Sequence, residues 1–80
     1  MANVLFSSGL RRYTRGEDSV RIEAGTVREL IAALSARYPE LVDALPSMAV
    51  AIDGEIVNEP LLEALGPDAE VHFLPPIGGG

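Results

Sequence analysis

The sequence has no cysteine, no lysine and no tryptophan. Without cysteine there is no disulfide framework, no thiolate metal site and no thiol nucleophile. Without lysine there is no side-chain amine to receive an isopeptide bond. The chain can be a donor to lysines of other proteins, never a lysine acceptor. Aromatic residues are scarce, two Phe and two Tyr, so the core is expected to be aliphatic. The single histidine, His72, cannot make a zinc site without further ligands, and none are spaced for one. No metal is expected. No apolar run approaches the roughly 20 residues of a membrane span. The N-terminus also lacks the basic start and long apolar stretch of a signal peptide, so the expected compartment is the cytoplasm, with no membrane contact.

Positive charge is sparse as well. Six arginines, at positions 11, 12, 15, 21, 28 and 37, stand against twelve acidic residues, for a net charge of -6. That balance disfavours nucleic acid, whose phosphates would be repelled, and favours a protein partner with a basic docking face. Acidic residues crowd the final third at Glu55, Glu59, Glu63, Asp68 and Glu70, where a solvated face explains them most simply. With 80 residues, 48% of them apolar, the chain reads as one folded domain rather than a disordered segment. A domain this small buries a modest core and leaves little room for a deep active-site cavity.

The apolar pattern divides the chain into short strands around one helix. Asn3 to Phe6 reads as a strand with Val4 and Phe6 on one face, and Ser19 to Glu23 alternates around Val20 and Ile22. Between them Ser7 to Glu17 is polar, arginine-rich and interrupted by Gly9 and Gly16, which predicts a loop. Thr26-Val27-Arg28-Glu29 fits a capping box. Behind it Val27, Leu30, Ile31, Leu34 and Tyr38 share one helical face, and Pro39 ends the helix, placing it over 27–37. Glu40 to Ala44 allows one more helical turn before Pro46. Met48 to Ile52 reads as a strand, Asp53-Gly54 as a type I′ turn, and Glu55 to Val57 as the returning strand. Leu61 to Leu65 is expected to form a short helical turn. Ala69 to Leu74 reads as the last strand, with Ala69, Val71 and Phe73 inward and Glu70, His72 and Leu74 outward.

One capped helix among short strands, with a hairpin at each end, implies an α+β sheet covered on one face. If the last strand returns beside the first, the arrangement is the β-grasp, the fold of ubiquitin: a mixed sheet of four to five strands packed on one main helix. The domain would span 1–75, and 76–80 would form an extended glycine-rich tail.

The chain ends Pro75-Pro76-Ile77-Gly78-Gly79-Gly80. Two prolines favour an extended conformation and offer no amide donors. Ile77 is one apolar side chain for a groove to grip. Glycines, lacking Cβ, let a backbone thread a narrow channel and adopt angles closed to other residues. Terminal glycines alone are also what an idle end looks like. After a rigid Pro-Pro lead-in they make better sense as a means of bringing the last carboxylate into a partner's active site. A carboxylate is a poor electrophile. Activation as an acyl-adenylate with ATP, then displacement of AMP by a persulfide sulfur, would leave a thiocarboxylate.

Three stretches carry a resemblance that spans nearly the whole chain. They are Gly25-Thr26-Val27-Arg28-Glu29-Leu30, Val50-Ala51-Ile52-Asp53-Gly54-Glu55, and Glu70-Val71-His72-Phe73-Leu74-Pro75-Pro76-Ile77-Gly78-Gly79-Gly80. The chain resembles the MoaD/ThiS family of ubiquitin-like sulfur carriers, and the Pro-Pro ending is more like the molybdopterin-synthase side than the thiamine side. The resemblance implies a thiocarboxylate at Gly80, with Phe73, Leu74, Pro75, Pro76, Ile77, Gly78 and Gly79 engaging partners. It implies an adenylyltransferase of the ubiquitin-activating type that uses ATP, a desulfurase or rhodanese-like sulfur donor, and an acceptor such as the molybdopterin synthase large subunit. No cofactor would be bound by the chain itself. Two departures stand out. Gly78 replaces the family's more usual Ser, Ala or Thr, and Gly66-Pro67-Asp68-Ala69 replaces its usual acidic turn before the last strand.

No Ser-His-Asp set, phosphate loop or catalytic carboxylate pair can be assembled. The chain is thus expected to be a protein co-substrate rather than an enzyme. Two other readings share the same residues: a protein modifier joined through Gly80 to lysines, and a plain interaction module whose glycines are incidental. A carrier for thiamine, cysteine, thio-RNA or another metabolite also fits.

Overall fold

A computed structural model describes residues 1–74, apart from the side chains of Ser8 and Pro46. The expectations for Pro75, Pro76, Ile77, Gly78, Gly79 and Gly80, and the boundary after residue 75, lie outside the described residues. Strands β1 (Ala2–Phe6), β2 (Ser19–Ile22), β3 (Ala49–Ile52), β4 (Glu55–Ile56) and β5 (Glu70–Leu74) accompany one α-helix, α1 (Val27–Arg37). They form a single five-stranded sheet in the order β2-β1-β5-β3-β4. β5 runs parallel to β1 and antiparallel to β3, so the last strand is inserted between the two hairpins. This is the β-grasp arrangement, and it places β5 at the centre of the sheet.

α1 spans the residues its sequence pattern predicts. Its start is fixed by Thr26, whose hydroxyl accepts the Glu29 backbone N–H at 3.1 Å. The Glu29 carboxylate reaches back one residue further than a standard capping box, accepting from the Gly25 N–H at 2.8 Å. A third donor at this end, the Val27 N–H, is taken by the Glu63 carbonyl at 3.1 Å. Helix N-termini leave such donors without intrahelical partners, so the cap and the crossing segment both stabilise it. Replacing Thr26 with Ala should cost about 1 kcal/mol, read as a lower urea midpoint with an unchanged slope.

Val27, Leu30 and Leu34 are fully buried against the sheet face formed by Val4, Phe6, Val20, Ile22, Val50, Val71 and Phe73. Each large aliphatic side chain so buried contributes about 1.5–3 kcal/mol. Tyr38 closes the far end of this core. Its ring meets Phe6 edge to face at 5.8 Å, and its hydroxyl donates to the Glu17 carboxylate. Burial, then the hydrogen bond to Glu17, pushes the Tyr38 phenol above its ordinary value.

The segment predicted as a polar loop, Ser7 to Glu17, is more structured than expected. Residues Ser8–Tyr13 form a 3-10 helix. It is held by Leu10, buried in the core, and by Thr14, also buried. The Thr14 hydroxyl spans the turn between the carbonyls of Glu17, at 2.9 Å, and Arg11, at 3.3 Å. Arg15 and Gly16 then take positive φ to bring the chain into β2. Smaller differences lie at element ends. β3 begins at Ala49 and β5 at Glu70, one residue later than predicted, and the turn near residue 61 is confined to Pro60–Leu62. Leu61 and Leu62 of that turn are exposed, and the buried leucine, Leu65, lies beyond it. The Asp53-Gly54 turn has φ of 50° and 87°, as a type I′ hairpin requires.

Candidate functional site

Because α1 covers one side of the sheet, the other side is open among the described residues, and the strand register defines its rows. Leu5 of β1 pairs with His72 of β5 and with Ser19 of β2. His72 pairs in turn with Ala51 of β3, which pairs with Ile56 of β4. One row therefore crosses all five strands: Ser19, Leu5, His72, Ala51, Ile56. Toward the start of β5 the neighbouring row is polar, comprising Arg21, Asn3 and Glu70. Toward its end lies Leu74 beside Ala49. The open face thus turns from polar to apolar in the direction of the C-terminus. Its apolar end is the point from which residues 75–80 continue.

Alternation along β5 separates two residues that the sequence grouped together as partner-binding. Leu74 lies on the open face and is half-buried, so its side chain is available to a partner. Phe73 is not. It is 0% exposed, packed in the core between Phe6 and Val50 in register, and its role is to fix the strand from which the tail departs. Ile56, at 59% exposed, belongs to the same face and was not singled out from the sequence. Nothing local marks it, because its membership depends on the β3–β4 register. His72 sits in mid-row and half-exposed, flanked by Leu5 and Ala51.

The rim of this face is acidic. Asp53 and Glu70 are tied across the β3–β5 step, with the Glu70 N–H donating to the Asp53 carboxylate at 3.0 Å and the Asp53 N–H to the Glu70 carbonyl at 2.8 Å. Glu55 follows on β4. Among the described residues no group of three or more His, Asp or Glu side chains is placed to hold a metal ion. No helix there is long and apolar enough to cross a membrane. The arrangement offers an apolar spot with an acidic border, which suits docking.

The ThiS family model matches residues 4–80, which takes in the sheet, the helix and the tail. The chain belongs to the ThiS family. No curated protein sequence matches it significantly. Solved structures similar to this family member include the CysO chain in the BexX/CysO complex of Amycolatopsis orientalis. That comparison gives 25% identity, 100% coverage of both chains and a TM-score of 0.86. A chain from the complex of subunits 1 and 2 of the molybdopterin-converting factor of Helicobacter pylori is 25% identical, with 99% of this chain and 97% of that one covered and a TM-score of 0.75. The small archaeal modifier protein 1 of Methanosarcina acetivorans has the same fold at 22% identity, with coverages of 99% and 95% and a TM-score of 0.86. The β-grasp fold and the MoaD/ThiS-like character expected from sequence are therefore both established.

Proposed function

We propose that this ThiS-family chain is a sulfur carrier whose working group is the carboxylate of Gly80. The observation that carries the reading is the continuity of the open face's apolar end, at Leu74, with a tail of two prolines, one isoleucine and three glycines. Docking and chemistry are then divided. The sheet face binds, and the tail delivers its terminus into a site built by another protein.

The chemistry follows from the terminal carboxylate. Its oxygen attacks the α-phosphorus of ATP, pyrophosphate leaves, and an acyl-adenylate remains. A persulfide sulfur from the donor protein attacks the acyl carbon and expels AMP. A second thiolate cleaves the resulting acyl disulfide, leaving a thiocarboxylate on the carrier and a disulfide on the donor side. Because the chain has no cysteine, no thiol of its own competes in these exchanges. The adenylyltransferase of the ubiquitin-activating type supplies the first step, and a desulfurase or rhodanese-like protein the sulfur. The acceptor in this reading is the molybdopterin synthase large subunit, a choice supported by the Pro-Pro ending and by the similarity to a molybdopterin-converting factor chain. The chain acts as a co-substrate in the cytoplasm and binds no cofactor.

Two experiments separate this from its rivals. Thiocarboxylated carrier mixed with the large subunit and the sulfur-free pterin precursor should yield the dithiolene product and return Gly80 to a carboxylate. Lysine-linked conjugates in cells, without sulfur transfer in that assay, would favour a protein modifier instead, the role named for the similar archaeal protein. The docking surface has its own test. Ile56→Asp, on an exposed residue of the open face, should raise the carrier's apparent KM with the activating enzyme by about tenfold. Its effect on stability should stay within about 0.5 kcal/mol.

A further inference from the structure

The helix side of the sheet is not fully covered. Between α1, the 45–48 connection, β3 and the turn at residues 59–62 lies a groove of about 660 Å³. Its floor is apolar, made by Ile31, Leu45, Met48 and Val50. Val50 pairs with Phe73 on the covered side of the sheet, so this groove and the open face are on opposite sides of the molecule.

A projecting apolar knob stands beside this hollow. Leu61 and Leu62 form one wall of the groove and are 47% and 74% exposed. Leu62 is the most exposed large apolar residue among those described. The two walls carry opposite charges, Arg28 on the helix side and Glu59 at the start of the turn. The ion pairs among the described residues are Arg11 with Asp18 and Arg37 with Glu17, so neither wall charge has an ion-pair partner among those residues.

We propose that this groove is a self-association site, joining two copies of the chain about a two-fold axis. Leu62 of each copy enters the groove of the other, and Arg28 of each faces Glu59 of the other. A two-fold contact uses one patch twice, so that patch must contain both knob and hole and both signs of charge. This patch meets that requirement. The remainder of a chain with net charge -6 repels its copies, and the two crossed pairs offset that repulsion locally. A heterologous partner would need the knob and the hole for different purposes, and a purely basic partner would meet Arg28 unfavourably. The groove is lined by nine residues, fewer than the roughly 20–30 a side of a standard interface. The dimer is therefore weak, with a dissociation constant on the order of 0.1 mM. It leaves both open faces uncovered, so one particle presents two carrier faces to docking partners.

The test is sedimentation equilibrium of the full chain from micromolar to millimolar concentration, with amide shifts followed over the same series. A concentration-dependent dimer is expected, with shifts confined to α1, residues 45–50 and residues 59–62. Leu62→Asp should weaken it at least tenfold while leaving the circular dichroism spectrum unchanged. Arg28→Glu and Glu59→Arg should each weaken it several-fold, and the double charge swap should restore most of the loss. A monomer at millimolar concentration overturns the proposal. So does a dimer that survives Leu62→Asp, or a charge swap that rescues nothing. Groove shifts that ignore concentration but follow addition of the activating enzyme would assign the groove to that protein and overturn it equally.

Discussion

Deleting Gly79 and Gly80 should abolish thiocarboxylate formation while leaving the melting temperature unchanged. The two halves of this expectation have separate causes. The hydrophobic core of the described residues runs from Ala2 to Phe73, and Gly79 and Gly80 have no side chain to add to it, so truncating them removes no apolar group. The reaction depends on reach. A fully extended residue spans at most about 3.3–3.6 Å, so losing two residues withdraws the terminal carboxylate by roughly 7 Å from where an activating enzyme would hold it. Misplacement of a reacting group by even about 1 Å can cost 100-fold in rate, so adenylation, read by ATP–pyrophosphate exchange, should fall below detection. Binding to the activating enzyme should fall less, because the open face at Leu5, Ile56 and Leu74 is intact. Normal pyrophosphate exchange by the truncated chain would show that its terminus is idle.

Phe73→Ala should be the most damaging single substitution near the tail, and its damage should be to the fold. A fully buried phenylalanine truncated to alanine costs about 3–5 kcal/mol, from lost burial plus the cavity left behind. Natural domains have only about 5–15 kcal/mol in total, and a chain this small is expected near the lower end. Thermal and urea unfolding should both register a large loss, with a substantial unfolded fraction at physiological temperature. Phe73→Leu keeps an apolar group of useful size in the same space and should remain folded. If that variant also docks and is thiocarboxylated normally, Phe73 acts by holding β5 in place. Loss of docking in folded Phe73→Leu would mean that the ring reaches a partner after all.

The same strand illustrates what sequence reveals and what it conceals. Inward Val71 and Phe73 against outward His72 and Leu74 follow directly from period-two alternation, and the structure keeps that division. The capping box at Thr26, the face Val27-Leu30-Leu34 and the Asp53-Gly54 turn are equally local signals, and each lies where its residues predict. Leu10 and Thr14 were hidden because they are single anchors inside an arginine-rich run with no periodicity. Only the tertiary contact reveals why that run coils. The Tyr38–Glu17 contact joins residues far apart in sequence, so no window along the chain contains it. For the candidate site, the proposed working tail rests on the residues Pro75 to Gly80 themselves. The docking row was not legible in the sequence. Leu5, His72, Ala51 and Ile56 come from four separate segments, and their alignment exists only once the register of β1, β5, β3 and β4 is set.

If Gly80 carries sulfur, the intact mass of the 80-residue chain will show it. The protein would be incubated with ATP, a sulfur source and its activating enzyme, then measured whole and after fragmentation. The expected result is a gain equal to replacing one oxygen by sulfur, located at Gly80 and absent when ATP is withheld. An unchanged mass, from an activating enzyme that thiocarboxylates another carrier in the same preparation, would contradict it.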